Sequence, residues 1–390
     1  MPDHAATRAG ARRLSTSAMK IAIVRQRYNP FGGAERFVER ALQALEKQHE
    51  IQLTLITRAW DSDIQRDVRI CNPSYLGRRA RDAGFAQAVQ ALVANGEFDL
   101  VQSHERIPGC DIFRAGDGVH AAWLAQRARR QGPLARLATR LSPWHRYTLK
   151  AEREMLNDPR LRAVICISEM VKHDIQRHYG VPDDKLHVIY NGIDLDQFNP
   201  QLKTQHRDRV RKELGIPADA PVFIYVGSGF ERKGMTQLLQ ALAQVPDAWL
   251  VAVGADKHLD RYRALARRLG VDARAHFTGG VRDVKPFYGA ADVFVLPTRY
   301  EPLSNAVLEA LACGLPSILS DQCGAAELIV PGQSGYVCDA LDVAALAGHI
   351  KTLAQPGSAA RMAAAARQAV EPYGIDTMSG KLMALYASLL

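Results

Sequence analysis

The chain has 390 residues, 47% hydrophobic and 23% charged, a globular composition that is too long for one compact domain. No apolar run reaches the length of a membrane span. The formal net charge of +9 suits a polyanion or an anionic membrane surface without choosing between them.

Residues 1–18 are rich in Ala, Arg, Ser and Thr, hold Asp3 as their single acid, and lack the apolar centre of a secretory signal. Their composition is compatible with a transit peptide. A disordered leader, or a start placed too early, is the expectation, because Met19-Lys20 leads directly into a strand, Ile21-Ala22-Ile23-Val24. The loop Tyr28-Asn29-Pro30-Phe31-Gly32-Gly33 and a helix over about 34–48 follow. Strand, glycine loop and helix open a phosphate-tolerant unit in which Gly32 and Gly33 let a ligand approach the backbone, although an ordinary tight turn fits the same residues.

A second strand, Ile51–Thr57, ends near Asp61-Ser62-Asp63. Asp-x-Asp can carry a divalent cation, but no other metal-type ligands cluster with it. Solvated turn residues are expected there and at Asp194-Leu195-Asp196, so no metal and no cofactor are expected. A strand over 98–102 precedes His104-Glu105-Arg106, and the run 111–120 then delivers Asp117 and His120 onto a glycine-containing loop. Such a loop suits a general base, and a turn-forming Asp with a surface His suits it equally. Residues 121–150 carry seven Lys/Arg and no acid, interleaved with Trp123, Leu124, Leu134, Leu137, Leu141, Trp144 and Tyr147. A solvated basic face has this composition, and so does an interfacial segment on an anionic membrane, which is our expectation. No nucleic-acid motif accompanies the charge, so a nucleic-acid partner is not expected.

A strand over 163–167 leads to Ser168 and a helix through His178, and a strand over 187–190 leads to Asn191-Gly192-Ile193-Asp194. The polar segment 196–219 reads as the domain boundary. The alternation then restarts with a strand over 222–226, the loop Gly227-Ser228-Gly229-Phe230-Glu231-Arg232-Lys233-Gly234 and a helix over 235–243. Strands at 249–253, 276–277, 293–296 and 317–319 continue it. Helices at 341–354 and 358–370 precede Pro372-Tyr373-Gly374, and 375–390 is expected to form a helix reaching back to the first half. Repeated β–α units imply an α/β fold with parallel sheets and right-handed crossovers. Each half therefore reads as a Rossmann-like domain, 19–193 and 194–374, with ligands at the carboxyl ends of the strands.

Gly227-x-Gly229 after a strand invites a dinucleotide reading, but Arg232 stands where the third glycine of that fingerprint belongs. Arg232-Lys233 points instead to cationic recognition of a diphosphate, in which each charge-assisted hydrogen bond is worth roughly 1.5–3 kcal/mol. Further along, Glu301 and Glu309 flank a helix start. Pro302 keeps Glu301 out of helical geometry, Ser304 is a good N-cap, and 305–313 reads as a short helix stopped by Gly314 and Pro316. Two acids so placed can hold two hydroxyl-rich parts of one ligand around the phosphate-attracting end of a helix. Two solvated glutamates are the plainer alternative.

Taken together, Glu301-x7-Glu309 with Ala312-Cys313-Gly314-Leu315-Pro316, Arg232-Lys233-Gly234 and Tyr190-Asn191-Gly192-Ile193-Asp194 resemble the retaining GT-B glycosyltransferases of family 4. Within that family the chain is most similar to the glucosyltransferases that extend the heptose region of the lipopolysaccharide core. That match is carried by Tyr28-x-Pro30-Phe31-Gly32-Gly33, Pro108-Gly109-x-Asp111 and Gly227-Ser228-x-Phe230-x-Arg232-Lys233-Gly234. The resemblance implies two Rossmann-like domains facing across a cleft and a UDP-sugar donor. It implies a glycolipid or core-oligosaccharide acceptor, and a place on the cytoplasmic face of the inner membrane. It assigns Arg232 and Lys233 to the donor diphosphate, Glu309 to the ribose, Glu301 to the donor sugar, and Ser304-Asn305 to phosphate or sugar. Gly32, Gly33, Gly229 and Val281 fall on the donor wall, and Asp117 and His120 near the acceptor hydroxyl. The six cysteines, Cys71, Cys110, Cys166, Cys313, Cys323 and Cys338, are dispersed and form no Cys-x-x-Cys pair, so buried free thiols in a reducing compartment are expected.

Overall fold

The computed structural model describes residues 18–26, 51–59 and 67–390. The leader, the Gly32-Gly33 loop with its helix, and Asp61-Ser62-Asp63 lie outside the described residues.

The first half contains β1 (Met19–Val24), β2 (Ile51–Thr57), β3 (Asp67–Ile70), α1 (Gly77–Val93), β4 (Leu100–Ser103) and β5 (Ile112–Arg114). It continues with α2 (His120–Ala128), α3 (Pro133–Leu141), α4 (Pro143–Leu156), β6 (Ala163–Cys166), α5 (Glu169–Tyr179) and β7 (Leu186–Val188). The second half opens with α6 (Gln201–Glu213), β8 (Val222–Val226), α7 (Met235–Leu242), β9 (Trp249–Val253), α8 (Leu259–Arg268), β10 (Ala275–Gly279) and α9 (Lys285–Ala290). After these come β11 (Val293–Leu296), α10 (Asn305–Ala312), β12 (Ser317–Ser320), β13 (Gly335–Cys338), α11 (Val343–Ala354), α12 (Ser358–Gln368) and α13 (Ile375–Ser388).

Two parallel sheets result, ordered β3-β2-β1-β4-β5-β6-β7 and β10-β9-β8-β11-β12-β13. Their strands are apolar runs because helices cover both faces. All four residues of β11 are buried, as are all four of β4 and β6. In each sheet the chain reverses direction of winding, between β1 and β4 and between β8 and β11. A parallel sheet opens a ligand crevice at such a reversal. This is the GT-B architecture, two Rossmann-like units with their strand ends facing.

The last helix packs on the first sheet, not the second. Met378, Leu382, Leu385 and Tyr386 lie against Ile21, Ile23, Leu55 and Leu100, and the Tyr386 hydroxyl donates to Gln102 Oε1 at 2.8 Å. The segment 196–219, read from sequence as boundary, holds a full helix, α6. Its few buried side chains include Arg211, which donates to Asp292 and to the carbonyls of Ala218, Ala220 and Ala290. All six cysteines are free thiols; five are buried and Cys338 is half-buried.

Candidate active site

Loops from the carboxyl ends of both sheets enclose a cavity of about 1060 Å³ between the domains. The second domain contributes the ends of β8, β9 and β10 (Gly227-Ser228, Gly254-Ala255 and Gly280-Val281) and the run from Tyr300 to Ala306 with Glu309. The first domain contributes Arg106, Arg114, Asp117, His120, Trp123, Trp144 and Asn191.

Arg232 and Lys233 occupy the turn between β8 and α7. Gly234 ends that turn at φ +78°, and a Cβ there would meet the Pro297 carbonyl at 1.9 Å, so only glycine lets the cationic turn close against β11. Arg232 donates to Glu301 Oε2 at 2.8 Å, and Lys233 Nζ lies 3.1 Å from the same oxygen. Burial pushes the Glu301 carboxyl up, but Lys233 and then Arg232 outweigh it and hold it below the usual glutamate value. Both cations rest on Glu301, and the three groups form one cluster with a net positive charge. Glu309, in the second turn of α10, is buried along the same wall and accepts from the Tyr288 hydroxyl at 3.0 Å.

Ser304 sits at the N-cap of α10 as its type suggested, but its hydroxyl does not cap the helix; its carbonyl accepts from Val307 and Leu308 instead. Asn305 begins the helix and accepts at Oδ1 from Asn191 of the other domain at 2.6 Å. Asn191 in turn accepts from Arg114. Burial, then the charge of Arg25, bring the Arg114 pKa down to about 9. Val281 lines the cavity. Gly229 does not: it is an exposed turn residue at φ +75° whose carbonyl accepts from the Lys233 amide.

On the facing side, Asp117 follows β5 and is half open to the cleft, 3.5 Å from Arg25. Burial raises its carboxyl, but Arg25, Arg106 and Arg114 more than offset this and keep it below the ordinary aspartate value. His120 is not a surface residue. It starts α2, is buried, stacks on Trp123, and its Nε2 lies 3.1 Å from His145 Nδ1. Burial, then the charge of Arg106, lower its pKa to about 4, so it is a neutral imidazole at physiological pH. The Glu152 carboxylate receives the amides of His120 and Ala121 at the positive end of α2, together with Arg106 Nε and the Tyr179 hydroxyl.

The sequence reading gave no site role to Arg114, Asn191, Tyr288, Tyr300 or Glu152. Asn191 had a signal in the motif Tyr190-Asn191-Gly192-Ile193-Asp194, and Tyr300 had one in its place beside Glu301.

In the basic segment, Trp123 and Trp144 turn inward, and Trp144 Nε1 donates to Asp82. Its outward apolar residues are Leu134, Leu137 and Leu141 of α3, exposed by 84%, 53% and 61%. Arg129 is paired with Asp339 of the second domain at 2.5 Å, and Arg127 lies over the Trp123 ring. Asp194-Leu195-Asp196 is a capped turn in which Asp194 accepts from the amides of Asp196 and Gln197. No cluster of three or more metal-type ligands occurs among the described residues.

A two-domain cleft with a cationic turn at one switch point and a paired acid–helix wall defines a glycosyltransferase of the GT-B type. Sequence profiles agree: that of Glycosyltransferase Family 4 matches residues 31–197, and that of Glycosyl transferases group 1 matches residues 206–369. The chain belongs to family 4 of the glycosyltransferases and is a hexosyltransferase. It is 28% identical over 327 residues to the lipopolysaccharide glucosyltransferase WaaG of Escherichia coli (strain K12), covering 82% of this chain and 85% of that one. The crystal structure of WaaG, a glycosyltransferase involved in lipopolysaccharide biosynthesis, superposes with a TM-score of 0.80 at 25% identity, covering 94% and 99% of the two chains. A GDP-mannose-dependent phosphatidylinositol monomannoside mannosyltransferase of Mycolicibacterium smegmatis is also 28% identical, over 358 residues, 86% of this chain and 89% of that one.

Proposed function

We propose that the protein transfers glucose, with retention at the anomeric carbon and without a metal, from UDP-glucose to a lipopolysaccharide-core or related glycolipid acceptor. The observation that carries this reading is the convergence of Arg232 and Lys233 on Glu301, with Glu309 on the same wall. When the diphosphate departs, its growing charge meets two cations already fixed in place, so no metal is required to neutralise it. Glu309 holds the ribose, and Glu301 holds sugar hydroxyls from the cationic side. The neutral, ring-packed His120 and the arginine-stabilised Asp117 are both weak bases. Their condition favours the leaving phosphate oxygen as the acceptor of the hydroxyl proton, with attack from the face the diphosphate leaves.

Among the described residues no helix is long and apolar enough to cross a membrane. The exposed leucines of α3, flanked by Arg136 and Arg140, form the surface that we assign to an anionic membrane, the cytoplasmic face of the inner membrane. Arg127, over the Trp123 ring, and Arg129, in a surface ion pair with Asp339, are already engaged within the chain and contribute less to this surface. The acceptor's lipid end would then lie beside the cleft that its sugars enter.

GDP-mannose is the second reading for the donor, favoured by the equal identity to the mannosyltransferase. A sugar-nucleotide epimerase would use the same cleft and would convert the donor with no acceptor present. The test is a screen of nucleotide sugars against truncated core glycolipids, with the product anomer read by NMR. An α-glucoside formed from UDP-glucose only in the presence of acceptor supports the proposal. An inverted product, or isomerised donor in acceptor-free samples, overturns it.

A further inference from the structure

Tyr300 precedes Glu301 on the second domain, yet its side chain is buried in the first. Its hydroxyl accepts from the Val119 amide at 2.9 Å and donates to Asp174 at 3.0 Å, and the residue is 3% exposed. Both partners belong to the domain opposite. Val119 lies between Asp117 and the start of α2, so this bond reaches the loop that faces the acceptor.

The other end of Tyr300 is fixed equally firmly. Its carbonyl accepts from Arg232 NH1 at 2.7 Å, the same nitrogen that holds Glu301. The neighbouring backbone is pinned by Glu301 N–H to the Gln322 carbonyl at 2.9 Å and Gly324 N–H to the Glu301 carbonyl at 2.8 Å. One residue on, the Pro302 carbonyl accepts from Ser168 of the first domain at 2.7 Å. The approach is tight: Gly118 adopts φ +68°, and a Cβ there would lie 2.6 Å from Pro302 Cγ and 2.7 Å from the Tyr300 hydroxyl.

We propose that Tyr300 is a positioning residue that ties the donor cluster to the acceptor loop, its hydroxyl bridge holding Glu301 with its cations in register with Asp117. The inference rests on the donor and acceptor assignment made above. Glu301 is hydrogen-bonded to Arg232, and Val119 lies two residues from Asp117, so losing the bridge misaligns the two sides without dismantling either. Misalignment lets water compete. Water then takes the glycosyl group in place of the acceptor hydroxyl, the bond to the diphosphate breaks, and free sugar and nucleoside diphosphate leave.

Tyr300→Phe tests this, because it removes only the hydroxyl. A single hydrogen bond is worth a factor of roughly 2–12, so we expect kcat for transfer to fall by about tenfold. Donor KM and nucleoside diphosphate affinity should stay within about twofold, and the share of donor lost to hydrolysis should rise. Asp174→Ala, which removes the partner and leaves the tyrosine, should act in the same direction, and the double variant should be no worse than Tyr300→Phe alone. Parental kcat and hydrolysis share in a folded Tyr300→Phe protein would overturn the inference. So would nucleotide affinity falling as far as kcat, which would place Tyr300 in donor binding. Should the parental protein itself bind no nucleoside diphosphate, the donor reading fails and not merely this step.

Discussion

Replacing Lys233 by alanine probes the cluster at its centre. Lys233 is 11% exposed, and its ammonium lies 3.1 Å from Glu301 Oε2, so it is held against the cleft and not in bulk water. Two consequences follow, and they separate. Arg232 remains 2.8 Å from the same carboxylate, so Glu301 keeps one cation and stays ionised. The cost to folding is accordingly that of a partly screened pair, about 1 kcal/mol, not the larger penalty of a stranded buried charge. The leaving diphosphate, by contrast, loses one of its two fixed cations as its charge grows. A charge-assisted hydrogen bond of about 1.5–3 kcal/mol present in the transition state corresponds to roughly a 10- to 150-fold loss in kcat. Lys233→Arg restores the charge with a longer, planar head and should recover only part of that loss. The assay is steady-state release of nucleoside diphosphate at saturating donor and acceptor, beside thermal unfolding of each variant. A folded Lys233→Ala protein within about threefold of parental kcat would refute the reasoning, whatever its effect on donor KM.

Three further outcomes can be checked. Glu309→Ala removes a buried carboxylate from the wall, and with it the acceptor 3.0 Å from the Tyr288 hydroxyl, which also donates to the Ala306 carbonyl at 3.1 Å. We expect nucleoside diphosphate to bind at least about tenfold more weakly by calorimetry, and unchanged affinity would remove Glu309 from the ribose. His120 has a folded pKa of about 4, below the unfolded value, so between about pH 6.5 and 4 the unfolded chain takes up a proton that the folded protein refuses. This residue's contribution is present above that window and is lost as pH falls through it. It amounts to roughly 2 kcal/mol between pH 7 and 5, so His120→Gln should flatten the decline of unfolding free energy over that range, and a parallel decline would contradict the assignment. Finally, Leu137→Glu with Leu141→Glu on the exposed face of α3 should weaken co-sedimentation with anionic vesicles about tenfold while leaving turnover of a water-soluble acceptor unchanged. Undiminished co-sedimentation would assign membrane contact to another surface.

The alternation of strands and helices was legible because parallel strands covered on both faces leave uninterrupted apolar runs, as in Val293–Leu296. Elements that rest on few buried side chains escaped. The helix Gln201–Glu213 buries Leu202, Val210 and Arg211 among charged neighbours, and Leu259–Arg268 buries little beyond Tyr262 and Ala266, so neither presents a wide apolar stripe. At the site, Glu301, Glu309, Arg232 and Lys233 stood out because short loops and one helix hold them, and the chemistry of each segment is local. The long-range connections could not be read this way. Arg114 meets Asn191 within the first domain across 77 positions, while between the domains Asn191 meets Asn305 across 114 and Tyr300 meets Asp174 across 126. Each partner is one of many polar residues until the two sheets are set facing.

The same distinction governs the proton. A glycine loop carrying Asp and His is a sound place for a base on sequence grounds, since both side chains are close to the reacting hydroxyl in the proposed arrangement. Basicity, however, is set by neighbours that come from elsewhere in the chain. Arg25, Arg106 and Arg114 arrive from three different strand ends and stabilise the Asp117 carboxylate. His145 arrives from α4 and faces His120 Nε2, while burial disfavours the imidazolium. Each adjustment makes the side chain a poorer proton acceptor while leaving its charge or shape in place. An anion that stays ionised beside the anomeric centre can still favour the positive charge that develops there as the diphosphate departs. In the proposed reaction Asp117 therefore acts through its field, and the proton passes to the group whose basicity rises during the step, the leaving phosphate.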